Sequence, residues 1–303
     1  MRAIASLLLL SVLLAPQTAR AFCRTTSKAI SRDFVPTPDQ PCWTQGLPLY
    51  WKNACVGFSM QKSASTQISF DDAVQNLTAA FARWRGASCP SASGSSSVSV
   101  EVRYLGAVDC DQVTYNRDTT IGNANVIMFR DSVWPHDDPN NTIALTTVTY
   151  DPKTGELFDA DMEINSNQQK FSLASPPPAD KIGFLAAITH EAGHFLGMAH
   201  TSDSAGTMFA QYKPSMSNLA SDDVAGICSV YPADGTRVTA TGPVQEIACD
   251  PTPRHGLLSQ CTATKSGCQQ SSSDGAGAGA WLVVLGALAV CVARLRRQVL
   301  ASP

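Results

Sequence analysis

Hydrophobic and polar residues follow strand-like patterns in three segments of the first half of the chain. Val56 to Met60 is a short run of apolar and small residues, Val98 to Leu105 alternates between apolar and polar positions, and Val126 to Phe129 is continuously apolar. Alternation with a period of two is typical of a half-buried strand, and a short apolar run is typical of a strand buried on both faces. We therefore expect three strands here.

Two further strand-like segments lie close together in the middle of the chain. Ile143 to Tyr150 is rich in Thr and Val, and Leu157 to Ile164 follows it after the turn-forming residues Asp151 to Gly155. Asp, Pro and Gly between two such segments are typical of a turn, so we expect these two segments to pair with each other.

Three segments have the helical period instead. Phe70 to Trp84 places its apolar residues on one side and begins with two aspartates, which suit the first turn of a helix. A second helix is predicted to begin near Lys181, with Asp180 as its N-cap. A third is predicted from Ser221 to Val230, where Ser-Asp-Asp is a good start signal.

The two ends of the chain have a different composition from this middle part. The first residues combine an arginine, a short apolar run and Ala19-Arg20-Ala21, a pattern typical of a signal peptide with its cleavage site. Ala276 to Ala293 is almost wholly apolar and is followed by arginines, which favours a membrane span over the alternative of a buried core helix. The predicted organisation is a signal peptide (1–21), a short irregular segment (22–46), a catalytic domain (47–233), a disulfide-tied linker (234–275) and a membrane or sorting tail (276–297).

The charge and the cysteine content of the chain indicate which classes of protein it can belong to. The formal net charge of the 303 residues is −3 and the basic residues are scattered, which argues against a nucleic-acid partner. Ten cysteines without a C-x-x-C motif indicate disulfides in an exported protein. Cys291 lies in the apolar tail, and the nine that remain are an odd number, so one has another role. From proximity along the chain we predict Cys89–Cys110 and Cys249–Cys261.

The strongest chemical signal is His190-Glu191-Ala192-Gly193-His194, followed by Gly197 and His200. Side chains four apart share one face of a helix, so His190 and His194 can reach one metal ion. A continuous helix would carry His200 about 15 Å along its axis from His190, too far for a shared ion. Gly197 can adopt the left-handed conformation that ends a helix, so the spacing predicts a helix, a break and a return.

This ligand set predicts a catalytic zinc ion. Three neutral imidazoles leave a fourth tetrahedral position open for water, as catalytic zinc sites do. Glu191 lies next to the first ligand and can take a proton from that water as general base. The alternatives are unrelated histidines or a non-catalytic metal site, and a structural site would not require a glutamate beside the ligand.

These residues resemble the metzincin signature, with Met208 as the Met-turn, and within metzincins they resemble the matrixins. Tyr212, four residues after Met208, fits the matrixin pattern, as does the run from Leu219 to Tyr231. The resemblance, which covers roughly residues 47–232, implies an α+β fold of a twisted five-stranded mixed sheet with three helices. It also implies a zinc-dependent endopeptidase that cleaves protein or peptide substrates.

The resemblance further implies where a substrate binds. Ile143 to Tyr150 would be an edge strand above the zinc, able to pair with an extended peptide. The pocket beside the zinc would be bounded by Tyr212 and the loop to Leu219, with Ala186 too small to plug it. We therefore expect a large apolar residue just after the scissile bond.

The sequence departs from the matrixin pattern in several places. Thr147 and Asp161 stand where matrixins carry histidines for a second, structural zinc ion, so that ion is not expected. Ala210 replaces a proline in the pocket wall, and the Pro-Arg-Cys-Gly type of propeptide motif is absent from the sequence. Acidic residues between 131 and 163 are either calcium ligands or a solvated acidic surface; they are Asp131, Asp137, Asp138, Asp151, Asp159, Asp161 and Glu163.

The tail carries a second resemblance. Gly267-Cys268, a Ser/Gly spacer, an apolar segment and terminal arginines resemble the MYXO-CTERM sorting signal of myxobacterial surface proteins. This implies a bacterial protein held in the membrane until processing at Cys268, and it would account for the odd cysteine. A plain tail anchor with Cys268 in a disulfide is the alternative.

The sequence leaves two alternative functions open. One is a metzincin of another family, such as an astacin-like enzyme, which the spacing from Met208 to Tyr212 argues against. The other is a non-catalytic binding module on a metzincin fold, which the intact Glu191 argues against. We expect a monomer in either case.

Overall fold

The computed structural model describes residues 22–31, 33–92, 94–261 and 297–302. The predicted signal peptide, Cys268 and the apolar segment 276–293 lie outside these residues. Among the described residues, no helix is both long enough and apolar enough to cross a bilayer.

The described residues form three α-helices and a series of mostly short strands. The helices are α1 (Phe70–Arg85), α2 (Phe184–Phe195) and α3 (Ser221–Val230), and a 3-10 turn spans Pro214–Ser217. The strands are β1 (Cys23–Arg24), β2 (Cys55–Gln61), β3 (Ser88–Ser91), β4 (Gly94–Ser97), β5 (Glu101–Val108), β6 (Val126–Phe129), β7 (Ala144–Tyr150), β8 (Leu157–Ile164), β9 (Phe171–Ser172), β10 (Ile182–Gly183), β11 (Met198–Ala199), β12 (Thr236–Thr239), β13 (Gly242–Gln245) and β14 (Arg297–Ser302).

The main sheet confirms the predicted fold class. Five strands lie in the order β7-β8-β6-β2-β5, with every pair parallel except the antiparallel pair of β7 and β8. The predicted edge strand, however, is not at the edge, because β14 pairs antiparallel with the outer side of β7. The expectation of an unpaired β7 is therefore wrong for the whole chain, since a segment far away in sequence covers it.

Helices α1 and α2 pack against each other and against the sheet to form the main core. Trp84 at the end of α1 is fully buried, and its indole Nε1 donates a hydrogen bond to the carbonyl of Thr189 on α2 at 2.8 Å. Ser69 caps α1 by accepting a hydrogen bond from the Asp72 backbone N–H, a geometry that satisfies one of the free donors at a helix start. The bond between Trp84 and Thr189 fixes α2 relative to α1.

The second helix begins three residues later than the sequence predicts. Ile182 and Gly183 form a short parallel pair with β9, so α2 starts at Phe184 and its N-cap is Gly183, not Asp180. The Gly183 backbone N–H donates to the hydroxyl of Tyr212 at 2.7 Å. These tertiary contacts hold the segment extended, which local capping signals cannot reveal.

Four disulfides connect the described cysteines, and both predicted pairs are wrong. Cys89 bonds to Cys228 on α3, Cys110 bonds to Cys261, Cys55 bonds to Cys249, and Cys23 bonds to Cys42. Cys89 and Cys110 flank β5, whose eight residues separate its ends by about 25 Å. A disulfide needs Cα atoms within about 7 Å, so the two cysteines at opposite ends of this strand cannot meet.

Residues 234–261 pack on the domain instead of leaving it. Strands β12 and β13 form a hairpin, and Arg237 on β12 is fully buried. Its guanidinium donates to the carbonyls of Trp51 and Asn53 and pairs with the Glu246 carboxylate at 2.8 Å. Together with two disulfides, these contacts of the buried Arg237 tie the segment to the domain.

Candidate metal centre and cleft

Helix α2 and the turn after it bring three histidines together. The helix ends at Phe195, and Gly197 has a φ of +91°, the left-handed conformation that the sequence predicts for the break. The Nε2 atoms of His190, His194 and His200 lie 3.1 to 3.2 Å from one another. Among the described residues, these three form the one group of His, Cys, Asp and Glu side chains arranged to hold a metal ion.

Hydrogen bonds from distant residues hold the end of α2. The Trp51 indole Nε1 donates to the carbonyl of Phe195, and the Tyr231 hydroxyl donates to that of Leu196, both at 2.8 Å. Burial raises the pKa of Tyr231 to about 12, so the hydroxyl keeps its proton for this bond. The last carbonyls of a helix need such partners, and here they fix the point where the chain turns toward His200.

The histidines present free lone pairs to the space between them. His190 Nδ1 lies 2.7 Å from the carbonyl of Thr207, and His194 Nδ1 lies 2.9 Å from that of Met198. A carbonyl can only accept, so each Nδ1 carries the proton and each Nε2 is bare. Burial also lowers the pKa of His190 to about 4 and of His200 to about 3, which favours neutral imidazoles.

This donor set fits a zinc ion. Three imidazole nitrogens bound tetrahedrally at about 2.0–2.1 Å would be about 3.3 Å apart, close to the observed separations. Bare nitrogens cannot hydrogen-bond to one another, so their convergence needs a cation to stabilise it. The backbone carbonyls behind His190 and His194 fix their ring orientation, as outer partners of metal ligands do.

Glu191 lies on α2 beside the first histidine and is fully buried. Its Oε2 accepts a hydrogen bond of 2.6 Å from the hydroxyl of Thr146, which is on β7 and is also fully buried. A bond between the sheet and the helix therefore fixes the direction of the carboxylate.

The Met208 side chain packs against α2 at Gly193, the residue before His194. A Cβ atom added to Gly193 would lie 2.3 Å from the Met208 sulfur and 2.6 Å from the Trp84 ring, so only glycine fits between them. The backbone N–H groups of Thr207 and Met208 donate to the buried carboxylate of Asp223 on α3 at 2.7 and 3.1 Å. Asp223 thus holds the turn whose Thr207 carbonyl orients His190.

The pocket beside the histidines differs in part from its prediction. Tyr212 lines a small cavity of about 10 Å³, and the helix contributes Ala187 and not Ala186 to it. Ala186 is buried without lining this cavity, because consecutive helical residues point about 100° apart. Met216, in the loop that leads to Leu219, also lines the cavity, whereas Leu219 itself packs against the core.

The residues at the places of a second zinc do not form a metal centre within the described part of the chain. Thr147 and Asp161 face each other across β7 and β8 and are both buried. Asp161 accepts hydrogen bonds from the backbone N–H groups of Val126 and Thr114, and burial raises its pKa to about 8. Backbone donors therefore take the contacts that a metal would need.

The proposed calcium ligands also have other partners. Glu163 binds Arg130 at 2.6 Å and His136 at 2.7 Å. Asp131 accepts hydrogen bonds from Ser65 and from the Thr66 backbone. These acidic residues brace loops, and the described structure brings no three of them together as a metal-binding group.

Sequence reasoning missed Thr146, Thr207 and Asp223 as supports of the site. A signal for Thr146 was present: the period of two places it on the same face of β7 as Ala144 and Val148, which the core buries. The contacts of Thr207 and Asp223 depend on how α3 docks and have no comparable local signal.

Comparison with known proteins agrees with this geometry. The matrixin family model matches residues 50–232. Human matrilysin is 36% identical over 101 residues, which are 32% of this chain and 34% of matrilysin. A probable matrix metalloproteinase, 095L, of invertebrate iridescent virus 3 is 28% identical over 153 residues (48% and 39%), and the metalloendoproteinase 4-MMP of Arabidopsis thaliana is 23% identical over 205 residues (66% and 51%).

The matched part thus spans about a third to a half of the length of these relatives. The family match, in contrast, covers more than half of the present chain and contains the three histidines, Glu191 and Met208. With the mixed sheet and the histidine cluster described above, it shows that this chain belongs to the matrixin family.

Proposed function

We propose that the protein is a zinc-dependent endopeptidase that hydrolyses peptide bonds in proteins. The observation that carries the proposal is the convergence of three imidazoles, two of them buried, next to a carboxylate whose direction is fixed. A purely structural metal centre would not need Glu191 at this place. The names of the relatives support the same activity.

His190, His194 and His200 would hold the ion. Zinc in such a site acts as a Lewis acid that lowers the pKa of a bound water and polarises a substrate carbonyl. Glu191 would take the proton released during attack on the carbonyl and pass it to the departing amine. Thr146 would hold the carboxylate in the orientation for both transfers, and the Thr207 and Met198 carbonyls would hold two of the imidazoles.

The cleft would bind the substrate as an extended chain along the outer side of β7. In this arrangement main-chain hydrogen bonds supply affinity and side-chain pockets supply specificity. The residue just after the scissile bond would enter the cavity between Tyr212 and Met216, which must widen to take a large apolar side chain. In the whole chain, β14 occupies the outer side of β7, so substrate would have to replace it.

The activity is tested with the purified protein and a diverse peptide library. We expect internal cleavage that is lost on chelation and restored by zinc. A zinc-loaded protein that binds peptides but cleaves none would favour the non-catalytic binding module instead.

We also propose export through the segment 1–21 and surface display through a MYXO-CTERM-like tail processed at Cys268. The composition of the chain ends supports this. Replacing Cys268 by Ala should leave a longer, tail-retaining protein and reduce display. Identical mass and display of variant and parent would favour a simple membrane anchor.

A further inference from the structure

The N-terminal segment lies outside the residues that match the family, yet it packs against the metal centre. Strand β1 pairs antiparallel with β11, which immediately precedes His200 in the chain. A disulfide between Cys23 and Cys42 closes the segment into a loop, here called the disulfide loop (residues 23–42). The disulfide joins the two ends of this loop, and strand pairing holds the loop beside a metal ligand.

A cavity of about 410 Å³ lies between this segment and the metal centre. Ile30 and Phe34 of the disulfide loop and the adjacent Trp43 line one wall, and His200, Phe209 and Ala210 line the other. The rings of Phe34 and Trp43 meet edge to face at 5.4 Å. The Trp43 indole Nε1 donates to the carbonyl of Lys28 at 3.1 Å, which fixes the ring. The size and the largely apolar walls are typical of a pocket for a large side chain.

The cavity adjoins the small cavity beside the histidines, because the two share lining residues. Phe209 and Ala210 also line the small cavity between Tyr212 and Met216, so one wall serves both. His200 borders the larger cavity and His190 borders the smaller one. A peptide that crossed the histidines would therefore pass both cavities.

The direction of that peptide follows from β7. The Tyr150 hydroxyl, at the end of β7, donates to the carbonyl of Ser27 in the N-terminal segment at 2.8 Å. Ile143, just before the start of β7, lines the small cavity. The outer side of β7 pairs antiparallel with β14, and a peptide in the same direction has its amino-terminal residues at the Tyr150 end.

We propose that the disulfide loop, Trp43 and the wall of Phe209 and Ala210 form a subsite for a large apolar or aromatic side chain upstream of the scissile bond. The proposal rests on the proposed endopeptidase function. It deepens that function by adding a specificity determinant from outside the family domain.

Cleavage-site profiling of the zinc-loaded protein tests the subsite. The parent should favour aromatic or large aliphatic residues at one upstream position. Peptide pairs that differ only there, Phe against Ala, are then compared for kcat/KM. The preference is the kcat/KM for the Phe peptide divided by the kcat/KM for the Ala peptide. Trp43→Ala and Phe34→Ala should each reduce this ratio by about tenfold or more, the usual range for lost apolar pocket contacts.

Two further variants keep the test decisive. Trp43→Phe should retain most of the preference, and Val35→Ala, at a side chain that is 73% exposed on the same loop, should leave it unchanged. A parent without upstream preference, or wall variants that slow both peptides equally, would overturn the subsite while the endopeptidase function stands. A parent that cleaves no peptide would overturn the proposed function and the subsite with it.

Discussion

Thr146 illustrates how a single side chain outside the signature connects the sheet to the proposed chemistry. Its hydroxyl donates a hydrogen bond of 2.6 Å to Glu191 Oε2 and so connects β7 to the proposed general base. Both residues are fully buried, so water does not compete for the bond. A general base must be held close to its working geometry, and a bond to a charged group is stronger than one between neutral groups.

Replacing Thr146 by Val should therefore slow catalysis without abolishing metal binding. Val keeps the shape of Thr but removes the donor, and a lost bond to a charged group corresponds to about a tenfold to hundredfold decrease in kcat. KM should change little, because the lost hydroxyl bonds to Glu191, the proposed general base, and the replacement therefore acts on the chemical step. Steady-state kinetics would measure both constants, and Thr146→Ser should restore most of kcat. Equal kcat for Thr146→Val and the parent would rule out this positioning role.

The buried histidines make a prediction about pH. Zinc binds neutral imidazoles, so protons compete with it only near or below the pKa of the ligands. With ordinary values near 6.5, three ligands would weaken zinc binding roughly a thousandfold between pH 7.5 and 5.5. Because burial lowers the pKa of His190 to about 4 and of His200 to about 3, we expect a far smaller loss over this range. Competition with a chelator of known affinity measures the change, and a thousandfold loss would contradict the prediction.

At the scale of elements, α3 supports the metal centre through one carboxylate. Asp223 accepts hydrogen bonds from the backbone N–H groups of Thr207, Met208 and Ala220. Removing it leaves buried donors without partners, and each such donor costs about 1–3 kcal/mol. The turn under His190 would lose its support at the same time.

Asp223→Ala should therefore lower both the free energy of unfolding and the affinity for zinc. The matched control is Asp180→Ala, which changes an exposed aspartate that does not cap α2. The control should change stability by less than about 0.5 kcal/mol. Denaturant unfolding and zinc titration measure both effects. If Asp180→Ala proves as damaging as Asp223→Ala, the assignment of these two roles is wrong.

The elements differ in how far the sequence could predict them. Helix α3 has the predicted bounds and α1 is one residue longer than predicted, because amphipathic periodicity and start signals act locally. The predicted start of α2 was wrong because β9 and Tyr212 hold Ile182 and Gly183 extended. The histidine cluster was predictable because its spacing and Gly197 encode the geometry within eleven residues.

Long-range contacts were out of reach of such reasoning. The disulfide from Cys89 to Cys228 spans 139 residues, and proximity in the sequence carries no information about it. Which helix residue lines the small pocket, Ala187 and not Ala186, depends on the rotation of α2, and the place of Met216 in it depends on the 3-10 turn. Tertiary packing determined these features.

At the scale of the molecule, the last residues of the chain lie where a substrate strand would bind. Strand β14 pairs with β7 from Ala144 to Thr149, which is all of β7 except Tyr150. An added peptide strand and β14 cannot use the same main-chain groups of β7 together. In a chain that has not yet been processed at Cys268, the tail would then compete with the substrate.

Removing the tail should therefore improve substrate binding. A chain that ends at Cys261 keeps all four described disulfides and should show a lower KM than the whole chain. The full-length variant Leu300→Pro should shift KM in the same direction, because proline is a poor partner in a strand. Equal KM values for the three proteins would contradict competition by β14.

In the proposed mechanism three histidines hold zinc while Glu191 transfers the proton, and one comparison separates these roles. Zinc content and peptide hydrolysis are measured on the parent, Glu191→Ala and His194→Ala under the same conditions. Glu191→Ala should keep about one zinc per chain and lose at least the ~10²–10⁴-fold that general base catalysis contributes, whereas His194→Ala should lose both metal and activity. Hydrolysis by Glu191→Ala at the rate of the parent would contradict the account.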